Sequence, residues 1–170
     1  MAYKICVQAG HQNIKNNIDS GLRGGSGALS NEYVAGFLDG EGWFRIKKAK
    51  NKDRIAPSYQ IQVGASSTDP NILKLLVEKY GGAITIRLRK NNPKWKTEYS
   101  YSIMCKQAET LIIQIAPFLI IKKERALKCL ELSKTKKQEH GTRLSKEVLN
   151  YREQMFMEMK ELNQRGVVIA

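Results

Sequence analysis

The stretch Val34-Ala35-Gly36-Phe37-Leu38-Asp39-Gly40-Glu41-Gly42 decides how this chain folds. Wound as a helix at about 100° per residue, it separates into two arcs. Tyr33, Val34, Phe37 and Leu38 form one arc, apolar enough to sink into a core. Ala35, Gly36, Asp39 and Gly40 form the other, which is nearly bare. Gly36 and Gly40 stand about one turn apart, so a second backbone can approach closely between them. A glycine inside a helix costs roughly 1 kcal/mol relative to alanine, and tight helix-helix contact is the expected compensation for two of them. Glu41 falls where the helix stops, and Gly42 is placed to take the left-handed conformation that ends it.

Upstream, Ser30 is a good N-cap, and Leu29 and Val34 are spaced for a hydrophobic staple, so the helix is expected from Asn31 to about Glu41. Before it, Met1 to Gln8 reads as a short strand and Gly21 to Gly27 as a loop. Downstream, Trp43 to Lys47 alternates apolar Phe44 and Ile46 with Arg45 and Lys47, the pattern of a half-buried strand. A charged loop, Lys48 to Arg54, leads to a second strand, Pro57 to Ala65, with Tyr59, Ile61 and Val63 opposed to Ser58, Gln60 and Gln62. Asp69-Pro70 caps and opens a helix that Gly81-Gly82 ends. A third strand points Ile84, Ile86 and Leu88 inward and Thr85, Arg87 and Arg89 outward. A fourth, Glu98 to Cys105, sets Tyr99, Tyr101 and Ile103 against Ser100 and Ser102. Helices follow over Gln107 to Ala116, Lys122 to Ser133 and Ser145 to Arg165, the last with Val148, Leu149, Met155, Met159 and Leu162 as its apolar positions. The order of helix, two strands, helix, two strands and helices predicts an α+β fold.

The charge balance narrows the partners. Lys and Arg number 29 against 16 Asp and Glu, a net charge of +13 with a pI near 9.7. That suits a polyanion, whose phosphates reward cationic side chains by releasing counterions. No apolar run approaches the roughly 18 residues a membrane span needs, and no secretory signal is visible, so no membrane partner and an intracellular setting are expected. Cys6, Cys105 and Cys129 are odd in number and without metal-type spacing, which argues against a disulfide framework or a zinc site. The outward residues of the first three strands include Arg45, Lys47, Gln60, Gln62, Arg87 and Arg89 and no acid; Glu98 on the fourth is the exception. Arg and Gln are the side chains that read guanine and adenine edges through paired hydrogen bonds.

The segment Val34 to Gly42 resembles, at every position, the signature motif of the LAGLIDADG homing endonucleases: a hydrophobic residue, Ala-Gly, two hydrophobic residues, an acid, a small residue, a second acid and Gly. Pro117-Phe118-Leu119-Ile120-Ile121-Lys122 is similar to a second family feature, a Pro-aromatic-Leu run leading to a lysine before a helix. The resemblance implies a four-stranded antiparallel saddle-shaped sheet lying in the major groove of double-stranded DNA, with helices packed on its other face. It implies an endonuclease core over residues 30–133, an N-terminal extension over 1–29 and a C-terminal helical segment over 134–170 on the same domain. There is one motif in the chain, which implies a homodimer joined through Ala35, Gly36, Asp39 and Gly40.

The resemblance also assigns roles. Glu41, at the second acid position, is the expected catalytic acid and ligand of Mg²⁺, for which Mn²⁺ and Ca²⁺ are alternative occupants. The carbonyl of Gly40 is a second oxygen ligand, and Asp39 is expected to be structural. Lys122 matches the active-site lysine of the family, with Arg125 one turn on as support. Arg45, Lys47, Ser58, Gln60, Gln62, Thr85, Arg87, Arg89, Ser100 and Ser102 are the expected DNA-binding residues. A departure lies at Gly64-Ala65-Ser66-Ser67, where some relatives carry a glutamine and a further basic residue. The implied function is cleavage of a long, near-palindromic duplex site across the minor groove, promoting intron mobility. An RNA maturase acting on its intron, and a non-catalytic DNA-binding regulator on the same fold, are the alternatives.

Overall fold

The computed structural model describes residues 29–50, 56–87, 96–137 and 144–164. The expected strand at Met1 to Gln8, the Gly21 to Gly27 loop, Leu88, Arg89 and most of the Lys48 to Arg54 loop lie outside them. The first helix, α1 (Asn31–Glu41), begins as its sequence dictates: the hydroxyl of Ser30 accepts from the Tyr33 N–H at 3.2 Å. It runs straight into strand β1 (Gly42–Ala49), followed by β2 (Ser58–Ser67), α2 (Pro70–Tyr80), β3 (Ala83–Arg87) and β4 (Glu98–Met104). Helix α3 (Cys105–Ile115), a 3-10 turn at Ala116–Phe118, α4 (Lys123–Lys137) and α5 (Lys146–Leu162) complete the order. Asp69 caps α2 by accepting from the Asn71 N–H at 2.9 Å, and Gly81 and Gly82, at φ +78° and +97°, end it in conformations other residues rarely adopt.

Among the described residues the strands form one antiparallel sheet in the order β1-β2-β4-β3. Period-two alternation sends Phe44, Ile46, Tyr59, Ile61, Val63, Tyr101 and Ile103 to one face, where they are buried beneath Val34, Leu38, Leu73, Leu76, Leu111, Ile112 and Ile115 of the helices. The other face carries polar side chains. This is the α+β architecture expected from the chain: helices on one side of an antiparallel sheet, the other side left to water. Helix α5 packs on α4 and on β1, which is an edge strand. Lys48 is bonded to Glu153 at 2.6 Å, and Tyr59, opposite Lys48 across the strands, donates to the same carboxylate. Met155 and Met159 supply the buried stripe of α5, together with Arg152, which is held by the hydroxyl and carbonyl oxygens of Thr135.

Two expectations for α1 are corrected. The buried stripe is Val34, Ala35, Leu38 and Asp39, whereas Tyr33 is 56% exposed. The core-facing arc is thus turned by about one residue, because Ala35 is small enough to lie against the chain's own core and Asp39 finds inward partners. Gly42 is not left-handed: at φ −87° and ψ 168° it is already extended and forms the first residue of β1. Its glycine identity is enforced by crowding instead, since a Cβ there would lie 2.6 Å from the Leu38 carbonyl oxygen.

Among the described residues Cys105, at the β4–α3 junction, is the non-glycine residue with positive φ, at +56°. That conformation costs an L-residue about 1–2 kcal/mol, partly offset by the greater chain entropy glycine would lose on folding. Cys105→Gly is therefore expected to stabilise the fold by about 0.5 kcal/mol, read as a raised urea midpoint at unchanged slope.

Candidate nucleic-acid interface and metal centre

The strand register decides which polar residues share the open face. Directly paired residues point the same way, and the pairs are Lys47 with Gln60, Arg45 with Gln62, Thr85 with Ser100 and Arg87 with Glu98. Ser102 is opposite Gly64, and Ser58 opposite Ala49. Arg45, Lys47, Ser58, Gln60, Gln62, Thr85, Arg87, Ser100 and Ser102 therefore stand on one surface; Arg89 lies outside the described residues. Glu98 is 3.9 Å from Arg87, so the one acid here faces a cation.

One cluster on this face escaped the sequence reading. Arg45 donates from Nε to Gln62 Oε1 at 2.9 Å, and its guanidinium lies 4.4 Å from the centre of the Trp43 ring. The indole in turn lies across Gly64, where a Cβ would come within 2.2 Å of it and 2.4 Å of the Tyr101 carbonyl oxygen. Gln62 is buried beneath this stack at 7% exposure. Arg45 is thus held in one orientation by a cation–π contact and a hydrogen bond. Only the Trp43–Gly64 pairing could have revealed this, and pairing is not a local property of sequence.

At the head of β1, the C-terminus of α1 is clasped by the segment before α4. Asp39 turns inward, and its carboxylate accepts from the backbone N–H groups of Ile120 at 2.7 Å, Ile121 at 3.3 Å and Lys122 at 2.9 Å. The side chain of Lys122 returns the clasp, donating to the carbonyls of Leu38 at 3.0 Å, Gly40 at 3.2 Å and Gly42 at 2.6 Å. These carbonyls surround the junction of α1 and β1, where the helix end runs short of intrahelical donors. Partial burial lowers the pKa of Lys122, with Arg125 pushing the same way and Asp39 and Glu41 opposing. Pro117 breaks α3 and starts the 3-10 turn that delivers Ile120 to Lys122 to Asp39.

Glu41 is the last residue of α1 and is exposed. It stands at the negative end of the helix dipole, which favours a bound cation. Its carboxylate and the Gly40 carbonyl are hard oxygen donors of the kind Mg²⁺ takes. No group of three or more His, Cys, Asp or Glu residues suited to a metal occurs among the described residues. One chain thus offers a partial ligand set that fits a metal whose remaining positions go to water, phosphate or a second protein copy. Glu41, Gly40, Trp43, Arg45, Ser66, Lys122 and Arg125 line one open cleft of about 910 Å³. Arg125, expected to support Lys122, instead donates from Nε and Nη2 to the Leu162 carbonyl at the end of α5.

The family model described as LAGLIDADG endonuclease matches residues 34–128. Among solved structures, the homing endonuclease I-CvuI bound to the I-CreI target with Mg is 16% identical, covering 82% of this chain and 85% of that one at a TM-score of 0.64. The archaeal intron-encoded homing endonuclease I-Vdi141I, complexed with DNA, is 18% identical over 82% of this chain and 87% of its own, also at 0.64. For I-GzeII in complex with its DNA target the identity is 22%, the coverage 77% of this chain and 43% of that one, and the TM-score 0.56. No curated protein matches significantly.

The clasp predicts a graded stability series. Asp39→Ala removes the acceptor of three part-buried amide donors and is expected to cost about 2 kcal/mol in urea unfolding. Asp39→Asn keeps one carbonyl oxygen and loses about half as much.

Proposed function

Since this chain belongs to the LAGLIDADG endonuclease family, we propose that it is a site-specific, Mg²⁺-dependent DNA endonuclease. In this reading it acts as a homodimer on a long, near-palindromic duplex and promotes the mobility of the intron that encodes it. Residues 30–133 form the nuclease core, and 134–170 belong to the same domain. The observation that carries the reading is the junction of two features: an exposed Glu41 at the clasped end of a glycine-faced helix, continuous with an open sheet face rich in Arg, Lys, Gln and Ser.

The sheet face supplies binding and specificity. Arg45, Gln60 and Arg87 address base edges in the major groove, buried Gln62 orients Arg45 from beneath, while Ser58, Thr85, Ser100 and Ser102 offer short hydroxyl contacts and Lys47 neutralises phosphate. Glu41, with the Gly40 carbonyl, would hold the metal; when bound, Mg²⁺ activates water and stabilises charge at phosphorus. Lys122, held by the carbonyls of Leu38 and Gly42, stays beside the cleft, where its ammonium offsets negative charge growing on the phosphate. Asp39 has no free role in chemistry, because its oxygens are occupied by amides.

The second copy is supported by what one copy leaves open. A Cβ added at Gly36 or Gly40 meets nothing within 4 Å. Ile120 and Ile121, whose amides are bonded to Asp39, expose 86% and 73% of their surface beside that arc, and Tyr33 is also exposed. Ala35 and Asp39, assigned to the interface from sequence, are buried within one chain, so the interface is better drawn through Tyr33, Gly36, Gly40, Ile120 and Ile121. Two such helices meeting there would bring two Glu41 residues together, one for each DNA strand. The match to under half of I-GzeII fits a chain that assembles a complete enzyme from two copies.

The test is cleavage of the continuous, intron-free locus with Mg²⁺. Wild-type protein is expected to make one double-strand break, and Glu41→Gln to bind the same DNA without cutting it. Unimpaired cutting by Glu41→Gln overturns the assignment of Glu41, and binding of intron RNA with no cutting of DNA favours the maturase. Gly36→Leu is expected to shift sedimentation from dimer to monomer and abolish double-strand cleavage, with circular dichroism retained; a dimer that survives it refutes this interface.

A further inference from the structure

The far wall of the Glu41 cleft is built by the C-terminal end of α5, beyond the residues 34–128 that carry the family match. Lys160, Asn163 and Gln164 line the cleft opposite Gly40, Glu41 and Lys122. This helix end is anchored. Asn163 Nδ2 donates to the Phe44 carbonyl of the edge strand at 3.0 Å, and the guanidinium of Arg125 holds the Leu162 carbonyl at 2.6 Å. Buried Met159 fixes the same turn from within.

Lys160 is the cation this anchoring leaves over. It is exposed and has no carboxylate partner among the described residues, unlike Lys48 and Lys128, which are paired to Glu153 and Glu158. A lysine in the last turn of a helix is ordinarily explained by the helix dipole. That explains its position along α5 but not the hydrogen bonds that lock this turn against β1 and α4 beside Glu41.

We propose that Lys160 is a phosphate-binding residue that grips the DNA backbone next to the bond that Glu41 addresses, with Asn163 and Arg125 holding its turn in place. The inference rests on the nuclease reading. A lysine–phosphate contact is independent of sequence and releases counterions, so it shows on any duplex.

The experiment measures the affinity of full-length protein for two duplexes, the intron-free locus and an unrelated sequence, across a salt series with Ca²⁺ in place of Mg²⁺. Lys160→Gln is expected to lower the magnitude of the log K against log salt slope by about 0.9 per protein copy, with several-fold weaker binding on both duplexes. Lys160→Arg keeps the slope, and Lys74→Gln, on the exposed side of α2 and outside the cleft, leaves it unchanged. A Lys160→Gln slope equal to wild type overturns the proposal while the nuclease reading stands. Wild-type protein that binds neither duplex overturns the nuclease reading and, with it, this one.

Discussion

The reciprocal clasp between the end of α1 and the segment before α4 is the constraint on which the rest of the site depends. Asp39 would be costly to bury as a lone carboxylate. Accepting from three consecutive backbone amides makes it tolerable and fixes the loop in the same act. Lys122 then adds its own donors to the carbonyls of Leu38, Gly40 and Gly42 around the end of α1. Because Glu41 lies between the carbonyls that Lys122 holds, its backbone is restrained without any contact to its own side chain. The acid is left facing outward on a rigid mount, as the proposed role of metal ligand requires.

The sheet transmits that position to a broad surface. Strand β1 begins at the residue after Glu41, so the open face starts at the cleft and extends from it without a linker. Antiparallel register places Arg45 against Gln62 and Lys47 against Gln60, concentrating donors in rows. The Trp43–Arg45–Gln62 stack orders one of those donors in advance, which lowers the entropy lost when it meets a partner. Helix α5 closes the opposite side, tied to the edge strand through Glu153 and Asn163, so the edge of β1 is covered rather than left open for pairing.

Much of the fold was legible in sequence because its signals are local. The cap at Ser30, the Asp69-Pro70 start, the Gly81-Gly82 stop and the alternation of Tyr59, Ile61 and Val63 each act within a few residues. The family resemblance rested on a contiguous motif, and the family match covers it. Reading failed where a residue's environment comes from elsewhere in the chain. Asp39 and Ala35 looked outward on a helical wheel, yet partners some 80 residues away turn them in. Gly42 looked like a left-handed cap, yet the constraint upon it is contact with Leu38.

The sequence alone determined the order of elements, the basic character of the chain and the motif that carries Glu41, since these follow from residue type, spacing and charge. Tertiary structure alone decided which way Asp39 points, what Lys122 holds, that Arg125 serves α5 and that Trp43 lies over Gly64. Those outcomes depend on unpaired backbone groups and strand register, which exist only after distant segments have packed together.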